Sequence, residues 1–125
     1  MEKKYKYLLG HLNNISSRFD EALSREKNNI IRDAAIFRFK IVYELAWKTM
    51  RACLDEKGLK ELYSPKEAIK NAYQNRIVDN DPLWLEMVDT RNETSHMCKE
   101  AMAENVYNKL PRYLPPLKKL VKELS

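Results

Sequence analysis

The chain has 125 residues, 44% of them hydrophobic and 33% charged, with a formal net charge of +5. That length fits one domain, residues 1–125, able to bury a core without disulfides or metal, and the composition excludes a disordered or fibrous chain. No apolar run nears the roughly 20 residues of a transmembrane helix, and Leu8-Leu9 is too short for a signal-peptide core, so a cytoplasmic protein with no membrane contact is expected.

Tyr5, Leu8, Leu12, Ile15, Phe19 and Ala22 step by three and four residues, which predicts an amphipathic helix over about Lys3–Ser24. Lys27-Asn28-Asn29 breaks it. From Ile30 to Leu54 apolar residues fall on almost every face, the mark of a helix packed by neighbours on several sides. Its Ala, Leu, Glu, Lys and Arg content selects helix over strand for Ile41-Val42-Tyr43. Gly58 supplies a stop. Ser64-Pro65-Lys66-Glu67 reads as a capping box with proline at the first helical position, so a short helix starts there. Asp81-Pro82 starts another, which runs into the polar segment Asp89–Cys98.

Val106, Leu110, Tyr113, Leu117, Leu120 and Leu124 form a last stripe, which Pro111 and Pro115-Pro116 must kink or divide. The expected fold is all-α: an antiparallel four-helix up-and-down bundle with an additional short helix. Trp47 and Trp84 are read as core, because an indole buries a large apolar area. Tyr5, Phe37 and Tyr43 are more aromatic surface than one small bundle needs, which points to a homodimer.

Several chemistries are set aside. Two glycines far apart exclude a phosphate cradle of the P-loop or dinucleotide type. Cys53, Cys98, His11 and His96 have no metal-ligand spacing, so no metal, cofactor or disulfide framework is expected. The positive charge suits an anionic partner such as RNA or a nucleotide, but acids and bases alternate along the chain, as they do on solvated helix faces. Glu44 and Glu86 are expected to be solvent-facing or salt-bridged, His11 a surface histidine, and Cys98 a half-buried filler.

The segment Asp89-Thr90-Arg91-Asn92-Glu93-Thr94-Ser95-His96-Met97-Cys98 is the chemically varied one. Histidine titrates near neutral pH, and arginine grips phosphate bidentately. Together Arg91 and His96 are minimal equipment for metal-free RNA cleavage, in which a proton leaves the ribose 2′-hydroxyl and a fixed cation stabilises the phosphorane. Asn92 lies about 40° from His96 around a helix and could orient its imidazole. Arg91 lies about 140° away on an unbroken helix. The pair converges only if the helix ends near Ser95–Lys99, or if two protomers share a cleft. Glu100-Ala101-Met102-Ala103 reads as good helix. The competing reading is a polar helix end capped by Thr94 or Ser95.

Arg91–His96 also fits the R-x4-6-H signature of HEPN domains. Arg38-Phe39-Lys40-Ile41-Val42-Tyr43-Glu44-Leu45-Ala46-Trp47-Lys48-Thr49 resembles the "RFE…FELAWKT" block of the nucleotidyltransferase substrate-binding proteins. Ser64-Pro65-Lys66-Glu67-Ala68-Ile69 and Trp84-Leu85-Glu86-Met87 stand where that family has its "P+E.I" and "W..M" elements. The resemblance covers about residues 5–122. It implies a homodimeric bundle that partners a separately encoded minimal nucleotidyltransferase and presents substrate to it. In toxin–antitoxin members it implies a metal-independent endoribonuclease with Arg91 and His96 at the active site. The toxin branch continues its motif as H-x-Y, and Cys98 stands at that tyrosine position, which puts regulation by tyrosine adenylylation in doubt.

Overall fold

The computed structural model describes residues 3–125, and within them every regular element is helical. Helix α1 spans Lys4–Ser24, α2 Asn29–Glu56, α3 Pro65–Gln74 and α4 Leu83–Glu93. A 3-10 turn follows at Thr94–His96, then α5 at Glu100–Lys109, a second 3-10 turn at Leu110–Tyr113, and α6 at Leu114–Leu124. None of these helices is long and apolar enough to cross a membrane.

The sequence signals have visible physical counterparts. Asn28 caps α2 by accepting a hydrogen bond from the Ile31 amide at 2.8 Å. Ser64 caps α3 by accepting from the Glu67 amide at 3.2 Å, while Glu67 Oε2 reaches back to the Tyr63 amide at 3.4 Å. Gly58, at φ +88°, ends the last turn of α2 in the left-handed region that glycine enters without strain. Pro111 divides the last stripe into α5 and α6. It sits in the tight turn between them, where the lost amide costs least.

Helix α2 is the central element, touching α1, α3, α4 and α5. Its Ala35, Phe39, Val42, Ala46, Met50 and Leu54 are fully buried. Phe39 is the hub of an aromatic chain, 6.1 Å from Phe19, 6.1 Å from Tyr43 and 5.5 Å from Tyr113 between ring centroids. Those separations suit offset and edge contacts between ring quadrupoles. Trp47 and Trp84 join the same core.

Cross-links at the surface fix the helix directions. Arg38 of α2 donates to the Arg18 carbonyl near the end of α1, so α1 and α2 run antiparallel. Lys118 pairs with Asp20 at 2.6 Å and Lys6 donates to the Leu124 carbonyl at 2.8 Å, which sets α6 antiparallel to α1. Glu86–Arg112 at 2.9 Å and Glu93–Lys109 at 3.2 Å run α4 against the α5–α6 arm. The up-and-down bundle is therefore stated twice, once by the apolar stripes and once by the ions.

Two expectations need correction. Tyr43 is buried in the core, so it cannot serve a dimer surface, whereas Phe37 is 60% exposed. Cys98 is exposed instead of half-buried, because the chain leaves the helix just before it.

Candidate functional site

The polar segment does not continue as one helix. Thr94 Oγ1 donates to the Arg91 carbonyl at 2.6 Å, and Ser95 Oγ donates to the Asn92 carbonyl at 2.7 Å. Short hydroxyl side chains that bond carbonyls three residues back compete with the helical ladder. The backbone tightens into the 3-10 turn Thr94–His96, and turn residues lead to Lys99 before α5 begins. The α-helix thus ends at Glu93, just ahead of the Ser95–Lys99 interval, and the turn carries the chain across it.

Helix α5 restarts where α2 holds it. Arg32 is almost wholly buried, and its guanidinium donates to Glu100 and Glu104 of α5 and to the neighbouring Asp33. Lys27 adds a second bond to Glu104. These carboxylates hold the Arg32 guanidinium protonated more firmly still, and Lys27 and Arg32 in turn lower the Glu104 pKa. The segment between α4 and α5 is thus spanned between two fixed ends.

Arg91 is half-buried at the end of α4. Its Nη1 donates to Thr94 Oγ1 at 2.9 Å, and its Nε is shielded from solvent with no partner among the described residues. A guanidinium so under-used retains donors for an anion, and an unpaired buried donor is itself costly, by about 1–3 kcal/mol. The group lies close enough to Tyr43 to act on it. Burial pushes the Tyr43 phenol up to about 12, Glu44 adds to that rise, and the Arg91 charge opposes it.

Ser95 and His96 are exposed on the 3-10 turn, and Asn92 is exposed in the last turn of α4. Beside them an open groove of about 240 Å³ runs between α2 and the turn, lined by Asp33, Ile36, Phe37, Lys40, Thr94 and Met97. The structure thus joins Arg91 to Thr94, which lines the groove, while Asn92 and His96 are exposed and outside its lining. Glu44 pairs with Lys48 and accepts from the Trp47 indole, and Glu86 pairs with Arg112, so both serve as surface partners. Arg32 and the groove residues Asp33, Ile36 and Lys40 on α2 are the parts that sequence reasoning missed. Phe37 stands out in the sequence only as a surplus aromatic, since α2 is apolar on almost every face.

The chain matches no curated protein. The family model described as "nucleotidyltransferase substrate binding protein like" matches residues 4–125. Among solved structures, a Thermus thermophilus protein is 31% identical, with a TM-score of 0.83, over 90% of this chain and 98% of its own. A Haemophilus influenzae protein, whose structure is described as revealing the fold of a substrate binding domain of a nucleotidyltransferase, is 21% identical. It superposes with a TM-score of 0.79 over 93% of this chain and 98% of its own, a likeness of fold. The break after α4, the half-buried Arg91 and the α2 groove therefore belong to a member of the nucleotidyltransferase substrate-binding protein-like family.

Proposed function

We propose that this chain is the HEPN-type, substrate-presenting subunit of a two-component module. It forms a cytoplasmic complex with a separately encoded minimal nucleotidyltransferase. The observation that carries this is the family match across residues 4–125, which leaves α1 to α6 wholly taken up by the substrate-binding bundle. In this reading the transferase chemistry is supplied by another chain. Arg91, Asn92 and His96 are the residues we assign to the site, with the groove beside Thr94 receiving the group to be presented. Arg91 grips an anion, and Asn92 and His96 supply hydrogen bonds from the solvent side.

We place the homodimer contact on the same face. Ile30 and Phe37 of α2 are 80% and 60% exposed and flank the groove side of the helix. A second copy meeting there would cover both and bring two motif turns together. Phe37→Ser changes an exposed position, so folding stability should shift by less than about 0.5 kcal/mol. In sedimentation the wild type should run at twice the chain mass and the variant as monomer. A wild-type monomer sinks this contact.

The module is tested by co-expression with the adjacent minimal nucleotidyltransferase gene product and co-purification through a tag on one partner. A stoichiometric complex supports the reading, and two proteins that separate cleanly overturn it. Incubation with total RNA in EDTA decides the endoribonuclease alternative. Cleavage by wild type that is abolished in His96→Ala would move the site from presentation to catalysis.

A further inference from the structure

A second groove lies along the same central helix, about 15 residues and so roughly 22 Å from the motif turn. It encloses about 390 Å³ between the start of α1, the last turns of α2 and the strap that joins α2 to α3. Small-molecule sites occupy about 300–1,000 Å³, so one ligand of nucleotide size fits. Its charge is one-sided. Lys4, Lys48, Arg51 and Lys60 line it against the carboxylates of Asp55 and Glu61, four cations to two anions. Lys60 is paired with Asp55 at 2.7 Å and Lys48 with Glu44 at 3.8 Å, so the surplus over Glu61 rests on Lys4 and Arg51, with Lys48 loosely held beside them.

Arg51 is the best-prepared of these. Its guanidinium lies 4.8 Å from the centroid of the Trp47 ring, a cation–π contact that restrains the group. It makes no ion pair among the described residues. A guanidinium so placed keeps its N–H fork for a phosphate. The strap over the groove is shaped by two left-handed residues, Gly58 at φ +88° and Glu61 at φ +65°. Glutamate gains nothing locally from that conformation, and such strain collects where a loop is held for function. The strap ends on Tyr63, which lines the groove and is 76% exposed, leaving a ring face open to stack on a base.

Another concavity, about 290 Å³ between the α3–α4 loop and α6, also holds a left-handed residue, Arg76 at φ +61°, but its charge is balanced. Its three cations, Arg76, Arg112 and Lys119, meet three carboxylates, Asp79, Asp81 and Glu123. Arg112 and Lys119 are already paired with Glu86 and Asp79. It has no surplus charge for an anion.

We propose that the Lys48–Arg51–Tyr63 groove binds a nucleotide, its phosphate on Arg51, Lys48 and Lys4 and its base on Tyr63. The nucleotide is either free or the terminal residue of an RNA strand. This names a substrate class for the presenting subunit, and rests on that reading for its role in the module.

The test is calorimetric titration of the full chain with AMP, with a 5′-phosphorylated single-stranded RNA octamer, and with inorganic phosphate. AMP binding above phosphate, with the octamer no tighter, marks a free nucleotide; an octamer bound much more tightly marks a strand end. In either case Arg51→Gln should weaken binding about tenfold, as loss of a charge-assisted hydrogen bond does. Tyr63→Ala should weaken it about fivefold or more by loss of stacking, while inorganic phosphate binding stays unchanged. Lys118→Gln removes the same unit of charge outside the groove and should bind as wild type. Circular dichroism checks that Arg51→Gln still folds, and the highly exposed Tyr63 position provides an independent variant.

No binding of AMP or octamer overturns the proposal. So does binding that Lys118→Gln weakens as much as Arg51→Gln, because the affinity is then a diffuse effect of net charge. Binding lost in Arg91→Gln but kept in Arg51→Gln would return the ligand to the motif groove. Co-purification with the transferase reads the module and not the groove, so the two failures are distinguishable.

Discussion

Arg91 and Thr94 hold each other at the end of α4. The guanidinium donates to the Thr94 hydroxyl at 2.9 Å, and the same hydroxyl donates to the Arg91 carbonyl at 2.6 Å. One buried oxygen thus both ends the helix and aims the arginine. Thr94→Val keeps the shape but strips both bonds, leaving a carbonyl and a cationic donor short of partners. Urea denaturation should show a loss of about 1–2 kcal/mol, and Thr94→Ser should recover most of it. Equal stability of the valine variant and wild type would rule out this role.

Tyr43 offers a spectroscopic view of Arg91. Burial raises its phenol from 10.0 to about 12, so the folded protein holds this proton more tightly than the unfolded chain does. The stability it contributes is complete below pH 10 and is lost as pH rises through 12. Tyr43→Phe should therefore flatten the alkaline fall in stability. The Arg91 charge works against the rise, so Arg91→Gln should move the Tyr43 phenolate absorbance step to higher pH. An unmoved step would mean that Arg91 lies elsewhere.

Tyr113 and Thr90 share a 2.7 Å hydrogen bond in the core, both fully buried. Tyr113→Phe leaves the Thr90 hydroxyl without that partner in an apolar site. The expected cost is about 1–2 kcal/mol by urea denaturation. In the double variant with Thr90→Val, where the orphan is gone, the cost should fall back.

The Arg32 clamp predicts an acid-sensitive α5. The Glu104 pKa is held below its ordinary 4.5 by the hydrogen bonds from Lys27 and Arg32. A depressed carboxylate contributes stability above about pH 4.5, which is lost as pH falls through the folded value. Amide protection in α5, measured against the intrinsic exchange rate at each pH, should fall over that acid range while the α2 core stays protected. Glu104→Gln should show the faster exchange already at neutral pH. If α5 and α2 open together at every pH, the clamp has no separate existence.

The helices are legible because each follows from local chemistry. The α1 stripe, the Ser64 cap and the Pro111 division depend on residues within a few positions of one another. The break after Glu93 is not, since Glu100-Ala101-Met102-Ala103 has helical propensity and α5 does form from it. Where α5 starts is set by Arg32, 68 residues earlier in the chain. Periodicity does not report a pairing at that distance. Cys98 escapes sequence reasoning for the same reason: its exposure follows from the break. Tyr43 escapes it because α2 is apolar nearly all round, so its stripe does not tell which aromatic faces out. Arg91, Asn92 and His96 stand out by residue type, which names candidate chemistry but does not place it.

The turn after α4 separates two kinds of residue. Arg91 and Thr94 are bound into the bundle, and changing them disturbs the end of a helix. Ser95, His96 and Cys98 stand in solvent and hold no part of the core. Beyond the Ser95 bond to the Asn92 carbonyl, substitutions at those three positions disturb no packing, so drift at His96 and Cys98 is checked chiefly by what the protein does. The bundle can therefore exchange one chemistry for another at this turn while its architecture stays as it is.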